Sequence, residues 1–291
     1  MNKPLFSGVC TALVTPFRNG KVNDRMLEQL IQRQIDAGIN TIVICGTTGE
    51  SPTLSDPEKI HMFRKAKEFA RDRAMIIAGT GSNNTMHAAQ LSCAAEEAGA
   101  DGLLVVTPYY NKATPAGLIE HFCLIASGVT LPVILYNVPS RTGVDIPVSV
   151  YRELSEVSNI CGVKEASNDI TKIAKIRNAC PSDFGVWSGN DAHILPAIAL
   201  GSNGVISVLS NVFPEETRKL TDAALSGNYA DSRELQLRFD PLIDALFSEV
   251  NPIPVKAAMR LLGYDCGQCR LPLSEISESA LKKLEKALSI Y

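Results

Sequence analysis

Several things are scarce in this sequence, and each scarcity removes a class of function. Basic residues are not in excess: 28 Lys and Arg stand against 31 Asp and Glu, a formal net charge of −3. No basic field is therefore available to hold nucleic acid. No apolar run reaches the roughly 18–20 residues that a membrane-spanning helix needs. The start, Met1-Asn2-Lys3-Pro4-Leu5-Phe6, has neither the apolar core nor the cleavage site of a secretory signal, so a cytoplasmic location is expected. Of the cysteines, Cys10, Cys45, Cys93, Cys123 and Cys161 fall inside apolar segments, where a free thiol behaves as a small hydrophobe. Cys266-Gly267-Gln268-Cys269 has the spacing of a metal knuckle but no second ligand pair, and a surface turn is expected there. No Gly-x-Gly-x-x-Gly follows the first strand-like run, which argues against dinucleotide binding.

What is present is a regular alternation. Strand-like runs cover residues 8–15, 41–45, 75–79, 102–107, 132–136, 160–164, 185–188 and 204–208, with helical stretches between them. Asp24 is the expected cap of the first helix and Gly38 its stop, while Asp56 is the expected cap of a helix from about Pro57 to Ala70. Strands alternating with helices imply right-handed crossovers and a parallel sheet. Eight such units predict an α/β fold, a closed (β/α)8 TIM barrel over residues 1–227. Beyond Gly227 only helical patterns follow, near residues 231–250, 254–262 and 274–290, which predicts a C-terminal helical domain over 228–291.

In such a barrel the chemistry collects at the carboxyl ends of the strands. Ile160-Cys161-Gly162-Val163 reads as a buried strand that closes on Lys164. Lysine is seldom buried without a partner, and burial favours the neutral amine that a Schiff-base nucleophile needs. On Lys164 alone, a lysine snorkelling at a strand end is the simpler account; the other strand ends must overturn it. The second strand ends in Gly46-Thr47-Thr48-Gly49-Glu50-Ser51, whose hydroxyls and backbone N–H groups suit a carboxylate or phosphate, although an ordinary Gly/Thr turn has the same composition. The fourth presents Tyr109 and Tyr110, the fifth Tyr136 and Arg141, the seventh Ser188-Gly189-Asn190-Asp191 and the eighth Ile206.

Gathered in one pocket, these residues suit a keto acid. Lys164 would condense with the ketone and Tyr136 would move protons. A phenol ionises only near pH 10, so it needs hydroxyl partners, which Thr47 and Tyr110 could supply. Arg141 offers a planar fork for a carboxylate. His61, His87 and His121 fall on helices and His193 begins one, where solvated or helix-terminal roles are expected. No His/Asp/Glu cluster at the strand ends suggests a metal, which disfavours a metal-dependent aldolase. No cofactor is expected.

Three stretches, 46–51, 136–143 and Gly162-Val163-Lys164-Glu165-Ala166-Ser167, resemble the signatures of the dihydrodipicolinate synthase family. That family belongs to the pyruvate-dependent class I aldolase superfamily, which also holds N-acetylneuraminate lyase. The resemblance covers essentially the whole chain. The Thr47-Thr48 pair and the Arg141 segment point to the synthase branch, since neuraminate lyases usually carry Ser-Thr and no matching arginine.

The resemblance implies pyruvate and L-aspartate 4-semialdehyde as substrates, in the diaminopimelate and lysine pathway. It makes Lys164 the imine-forming residue and Tyr136 the proton donor and acceptor, with Thr47 and Tyr110 completing a relay. Thr48 and the backbone at Ile206, aided by Gly189, would hold pyruvate, and Arg141 would bind the semialdehyde carboxylate. It further implies that Tyr110 reaches a neighbouring subunit, giving a homodimer at least and commonly a homotetramer. Feedback-inhibited relatives bind lysine through histidines and a glutamate where this chain has Asp56, Lys59 and His87. A cation at Lys59 would repel the ligand's ammonium, so weak or absent lysine inhibition is expected. Asn190, often Asp in relatives, has no assigned effect.

Three other readings stand beside this one. An aldolase for neuraminate or a 2-keto-3-deoxy sugar acid has little use for Arg141. An inert pyruvate binder needs no proton relay. A phosphate-binding barrel isomerase would need a glycine-rich loop after the eighth strand, where Ser207-Val208-Leu209-Ser210-Asn211 stands instead.

Overall fold

The eight apolar runs form strands of four to six residues, almost wholly buried: β1 Gly8–Ala12, β2 Thr41–Ile44, β3 Met75–Gly79, β4 Gly102–Val106, β5 Val133–Asn137, β6 Ile160–Glu165, β7 Gly185–Ser188 and β8 Gly204–Ser207. In a computed structural model that describes residues 4–291, each pairs in parallel with the next and β8 closes on β1. This is the expected (β/α)8 barrel.

The helices are α1 Asp24–Asp36, α2 Asp56–Ala70, α3 Thr85–Glu97, α4 Pro115–Ser127, α5 Val148–Leu154, α6 Thr171–Ala179, α7 Ile194–Ala199 and α8 Pro214–Leu225, with one further helical turn at Pro139–Thr142. Two caps differ from expectation. Asn23, not Asp24, caps α1, and Ser55, not Asp56, caps α2 through a capping box with Glu58. In each case the residue before the acid has the extended backbone a cap requires, and the acid lies in the first turn, facing the positive end of the helix dipole.

Strand periodicity sorts the core into two layers. Val43, Ile77, Leu104, Ile134, Tyr136, Trp187 and Ile206 meet inside the barrel, while Ile42, Ile44, Leu103, Val105, Leu135, Val163 and Val186 pack outward against the helices. Phe6 stacks on Trp187 with ring centroids 4.5 Å apart within the interior cluster. A bulge sets the register between β5 and β6. Val133 pairs with Ile160 but Ile134 with Gly162, so Cys161 is an extra residue on β6. Beyond it Tyr136 lies opposite Lys164 and Asn137 opposite Glu165.

The tail forms α9 Tyr229–Leu246, α10 Ile253–Leu261 and α11 Glu278–Leu288. It is tied to the barrel by a buried ion pair, Lys256 Nζ to Glu50 Oε1 at 2.8 Å, and by Arg270, whose guanidinium binds Glu58 and whose backbone N–H donates to Glu50. The surface turn expected at Cys266–Cys269 is corrected at its first residue: Cys266 is fully buried in this junction, its N–H bonding the Tyr264 carbonyl, while Gly267 and Cys269 are half-buried and Gln268 is exposed. His121 likewise is buried rather than solvated, its Nδ1 2.9 Å from Thr85 Oγ1. Among the described residues no helix is long and apolar enough to cross a membrane.

Candidate active site

Of the seven non-glycine residues with positive φ among the described residues, four lie beyond the carboxyl ends of β2 and β4, Cys45, Glu50, Tyr110 and Lys112; Asn19, Arg71 and Asp72 lie elsewhere. Backbone strain of this kind persists where surrounding structure imposes it, and it marks functional loops. Between these loops lies a cavity of about 280 Å³, lined by Thr47, Tyr136, Arg141, Tyr109, Lys59 and His87 among others.

Lys164 enters the barrel interior from β6 and is 5% exposed. Its Nζ lies 4.4 Å from the centroid of the Tyr136 ring, which lines the cavity, although Lys164 is not itself a lining side chain. Gly189 gives the lysine stem its room. A Cβ there would stand 2.9 Å from Lys164 Cε and 2.6 Å from Ala166 Cβ. The Gly189 N–H donates to the Glu165 carbonyl at 2.7 Å, which binds the end of β7 to the end of β6.

Thr47 reaches the cavity and Thr48 is buried behind it, where its hydroxyl accepts a hydrogen bond from Asn251 Nδ2 at 3.0 Å. Arg141, on the helical turn after β5, lines the cavity and donates to the Asn251 carbonyl at 3.3 Å. Ile206 is buried in the interior cluster. Just beyond it Asp191 Oδ2 accepts from the N–H groups of Val208 and Leu209, both at 2.9 Å, and fixes the turn after β8. Burial pushes the Asp191 carboxyl above the usual range.

Tyr110 stands apart. It is 91% exposed and does not line the cavity, so one chain by itself does not join it to Tyr136 and Thr47. On the outer side of the cavity Asp56 meets two partners, His87 Nε2 at 2.8 Å and Lys59 Nζ at 3.5 Å. Burial works to raise the Asp56 carboxyl, but its bonds to His87 and Lys59 outweigh that and hold it below its ordinary value. Among the described residues no group of three His, Cys, Asp or Glu side chains is placed to hold a metal ion.

Strand-end reasoning missed Asn251 and the Glu50–Lys256 pair. Both involve the helical tail, where Asn251 and Lys256 lie about 200 residues along the chain from Thr48 and Glu50, their respective partners. The only sequence signal is Asn251-Pro252-Ile253-Pro254, an irregular stretch in an otherwise helical region.

Comparison with known proteins gives a consistent answer. The profile of the Dihydrodipicolinate synthetase family matches residues 5–291. A 4-hydroxy-tetrahydrodipicolinate synthase of Acetivibrio thermocellus is 48% identical over 291 residues, covering 100% of this chain and 99% of that one. The crystal structure of dihydrodipicolinate synthase from Aquifex aeolicus superimposes with a TM-score of 0.96 at 45% identity, covering 98% of this chain and 97% of that one. The chloride-inhibited dihydrodipicolinate synthase from Acinetobacter baumannii, solved in complex with pyruvate, gives 0.95 at 39% identity, with 98% of each chain covered. The chain belongs to the dihydrodipicolinate synthetase family.

Proposed function

We propose that the chain is a metal-independent 4-hydroxy-tetrahydrodipicolinate synthase of the cytoplasm, condensing pyruvate with L-aspartate 4-semialdehyde on the route to diaminopimelate and lysine. The observation that carries this reading is a buried lysine against a tyrosine ring at the carboxyl end of the barrel, with Arg141 on the wall of the adjoining cavity. The Lys164 amine attacks the keto carbon of pyruvate, and loss of water from the carbinolamine gives the imine. The protonated imine is an electron sink, so the pyruvate methyl group loses a proton and becomes an enamine. The enamine forms a carbon–carbon bond to the aldehyde carbon, whose oxygen takes up a proton. The semialdehyde's own amine then adds to the imine carbon, closes the ring and expels the Lys164 amine. Tyr136 and Thr47 pass the protons, Thr48, Gly189 and the backbone at Ile206 hold pyruvate, and Arg141 receives the semialdehyde carboxylate.

Tyr110 completes the relay of a second subunit in this reading, which its exposure on an isolated chain favours. The working unit is then a homodimer or a homotetramer built from two. Residues 1–227 carry the site as one domain, and 228–291 form a helical domain that supports it.

The deciding experiment follows pyruvate consumption with aspartate semialdehyde, beside N-acetylneuraminate and a 2-keto-3-deoxy sugar acid as cleavage substrates. Turnover with the semialdehyde alone is expected, and borohydride should trap pyruvate on Lys164. Cleavage of a sugar acid instead would overturn the substrate but keep the lysine chemistry.

Lysine inhibition should be weak or absent, because Lys59 places a cation where the ligand's ammonium would sit. A dose-response curve with half-inhibition well below millimolar lysine would refute this.

A further inference from the structure

Lys164 points into the barrel, so its neighbour Glu165 points out, and that carboxylate is buried with four donors around it. Asn137 Nδ2 reaches both of its oxygens at 3.0 Å, the Tyr151 hydroxyl donates at 3.1 Å, and the Ser167 N–H donates at 2.7 Å. Lys172 Nζ approaches to 3.9 Å and is itself held by Asp145. Burial, and then the Glu165 charge, push the Tyr151 phenol well up, so it stays a donor. Asn137 has a second task. Its Oδ1 accepts from the Ile146 N–H at 3.0 Å and its Nδ2 also donates to Asp145 at 2.8 Å, which closes the loop that carries Arg141.

The carboxylate thus joins the end of β5, the end of β6, the loop after β6, α5 and α6. It does so one residue past the paired Tyr136 and Lys164. We propose that Glu165 is a positioning residue. Its carboxylate sets the spacing of Lys164 against Tyr136 and, through Asn137, the reach of Arg141 toward the second substrate. This rests on the proposed function. A buried carboxylate ringed by donors costs free energy unless every bond is made, so the arrangement holds one geometry and resists its neighbours.

Glu165→Gln keeps the size but removes the charge and turns one acceptor into a donor that faces Tyr151, Asn137 or Ser167. In the full-length enzyme the total pyruvate that borohydride fixes to Lys164 should match wild type, which counts intact sites. The rate of trapping and kcat per intact site should each fall about 10–100-fold, the scale of a small misplacement of reacting groups. KM for the semialdehyde should rise about threefold or more, with KM for pyruvate moving less, because the Arg141 loop loosens. A purely structural role would lower the melting temperature or the number of sites and leave the rate per site unchanged. A rate per site within about twofold of wild type overturns the proposal. If Glu165→Gln does not fold, Tyr151→Phe removes a single donor. It should slow trapping per site several-fold, and wild-type trapping there overturns the proposal equally. Failure of wild type to trap pyruvate at all would instead sink the proposed function, and this inference with it.

Discussion

At the residue scale, the lysine stem has almost no slack. Gly189, just past β7, stands against that stem, and a methyl group there would lie inside van der Waals contact of Lys164 and Ala166. Gly189→Ala should therefore displace the amine rather than unfold the protein, since the residue is half-buried and lies in a loop rather than within a strand. We expect kcat to fall about 10–100-fold with the melting temperature little changed. Steady-state kinetics beside a thermal melt would check this, and wild-type kcat would remove Gly189 from the site. The reactive types themselves were legible in the sequence: a lysine, a tyrosine and an arginine at strand ends are costly there and invite a chemical explanation. Asn251 was not legible, because an asparagine in a helical tail carries no mark of the threonine it touches.

At the element scale, the support of the Gly46–Ser51 loop comes from behind. Glu50, in a left-handed backbone conformation, turns its carboxylate to Lys256 on α10 and to the Arg270 N–H, with both side chains of the ion pair fully buried. Lys256 also lies over the Phe17 ring at 4.5 Å and donates to the Gln268 carbonyl. Removing one partner leaves a buried charge without its counter-ion, so Glu50→Gln should lose about 3–5 kcal/mol of stability. Denaturant unfolding would measure it, and adding Lys256→Met should restore part of the loss. A stable single variant would mean that the pair is not what holds the loop. The capping errors belong to this scale too. Asn23-Asp24 and Ser55-Asp56 each offer two cap residues in a row, and only the chain's entry angle chooses between them.

At the scale of the whole molecule, two groups with large shifts couple folding to acid. Arg270 holds the Glu58 carboxyl down to about 2, well below the usual carboxylate range, and burial lowers the His121 imidazole to about 4. In both cases the unfolded chain binds its proton at a higher pH than the folded chain, so stability rises with pH through the window between. For His121 the window runs from roughly pH 6.5 down to about 4, and for Glu58 from roughly 4.5 down to about 2. Unfolding free energy should hold near pH 7, decline below about 6.5, and decline further below about 4.5. Denaturant titrations across that range would show it, with Glu58→Gln flattening the lower step only. A flat profile would mean that neither group is linked to folding.

The sequence alone determined the barrel, because eight apolar runs with helices between them leave a parallel closed sheet as the economical burial. It also determined the identity of the reactive side chains and the family they resemble. Tertiary structure decided which way each strand faces. A strand buried on both sides shows no alternation, so nothing in Ile160-Cys161-Gly162-Val163-Lys164-Glu165 says whether the lysine or the glutamate looks inward. The bulge at Cys161 settles that phase by shifting the β5–β6 register by one residue, and it brings Lys164 beside Tyr136. The contacts of Asn251 and Lys256 were likewise decided only in three dimensions. They join segments about 200 residues apart, and long-range pairing of polar groups leaves no periodic trace in a chain.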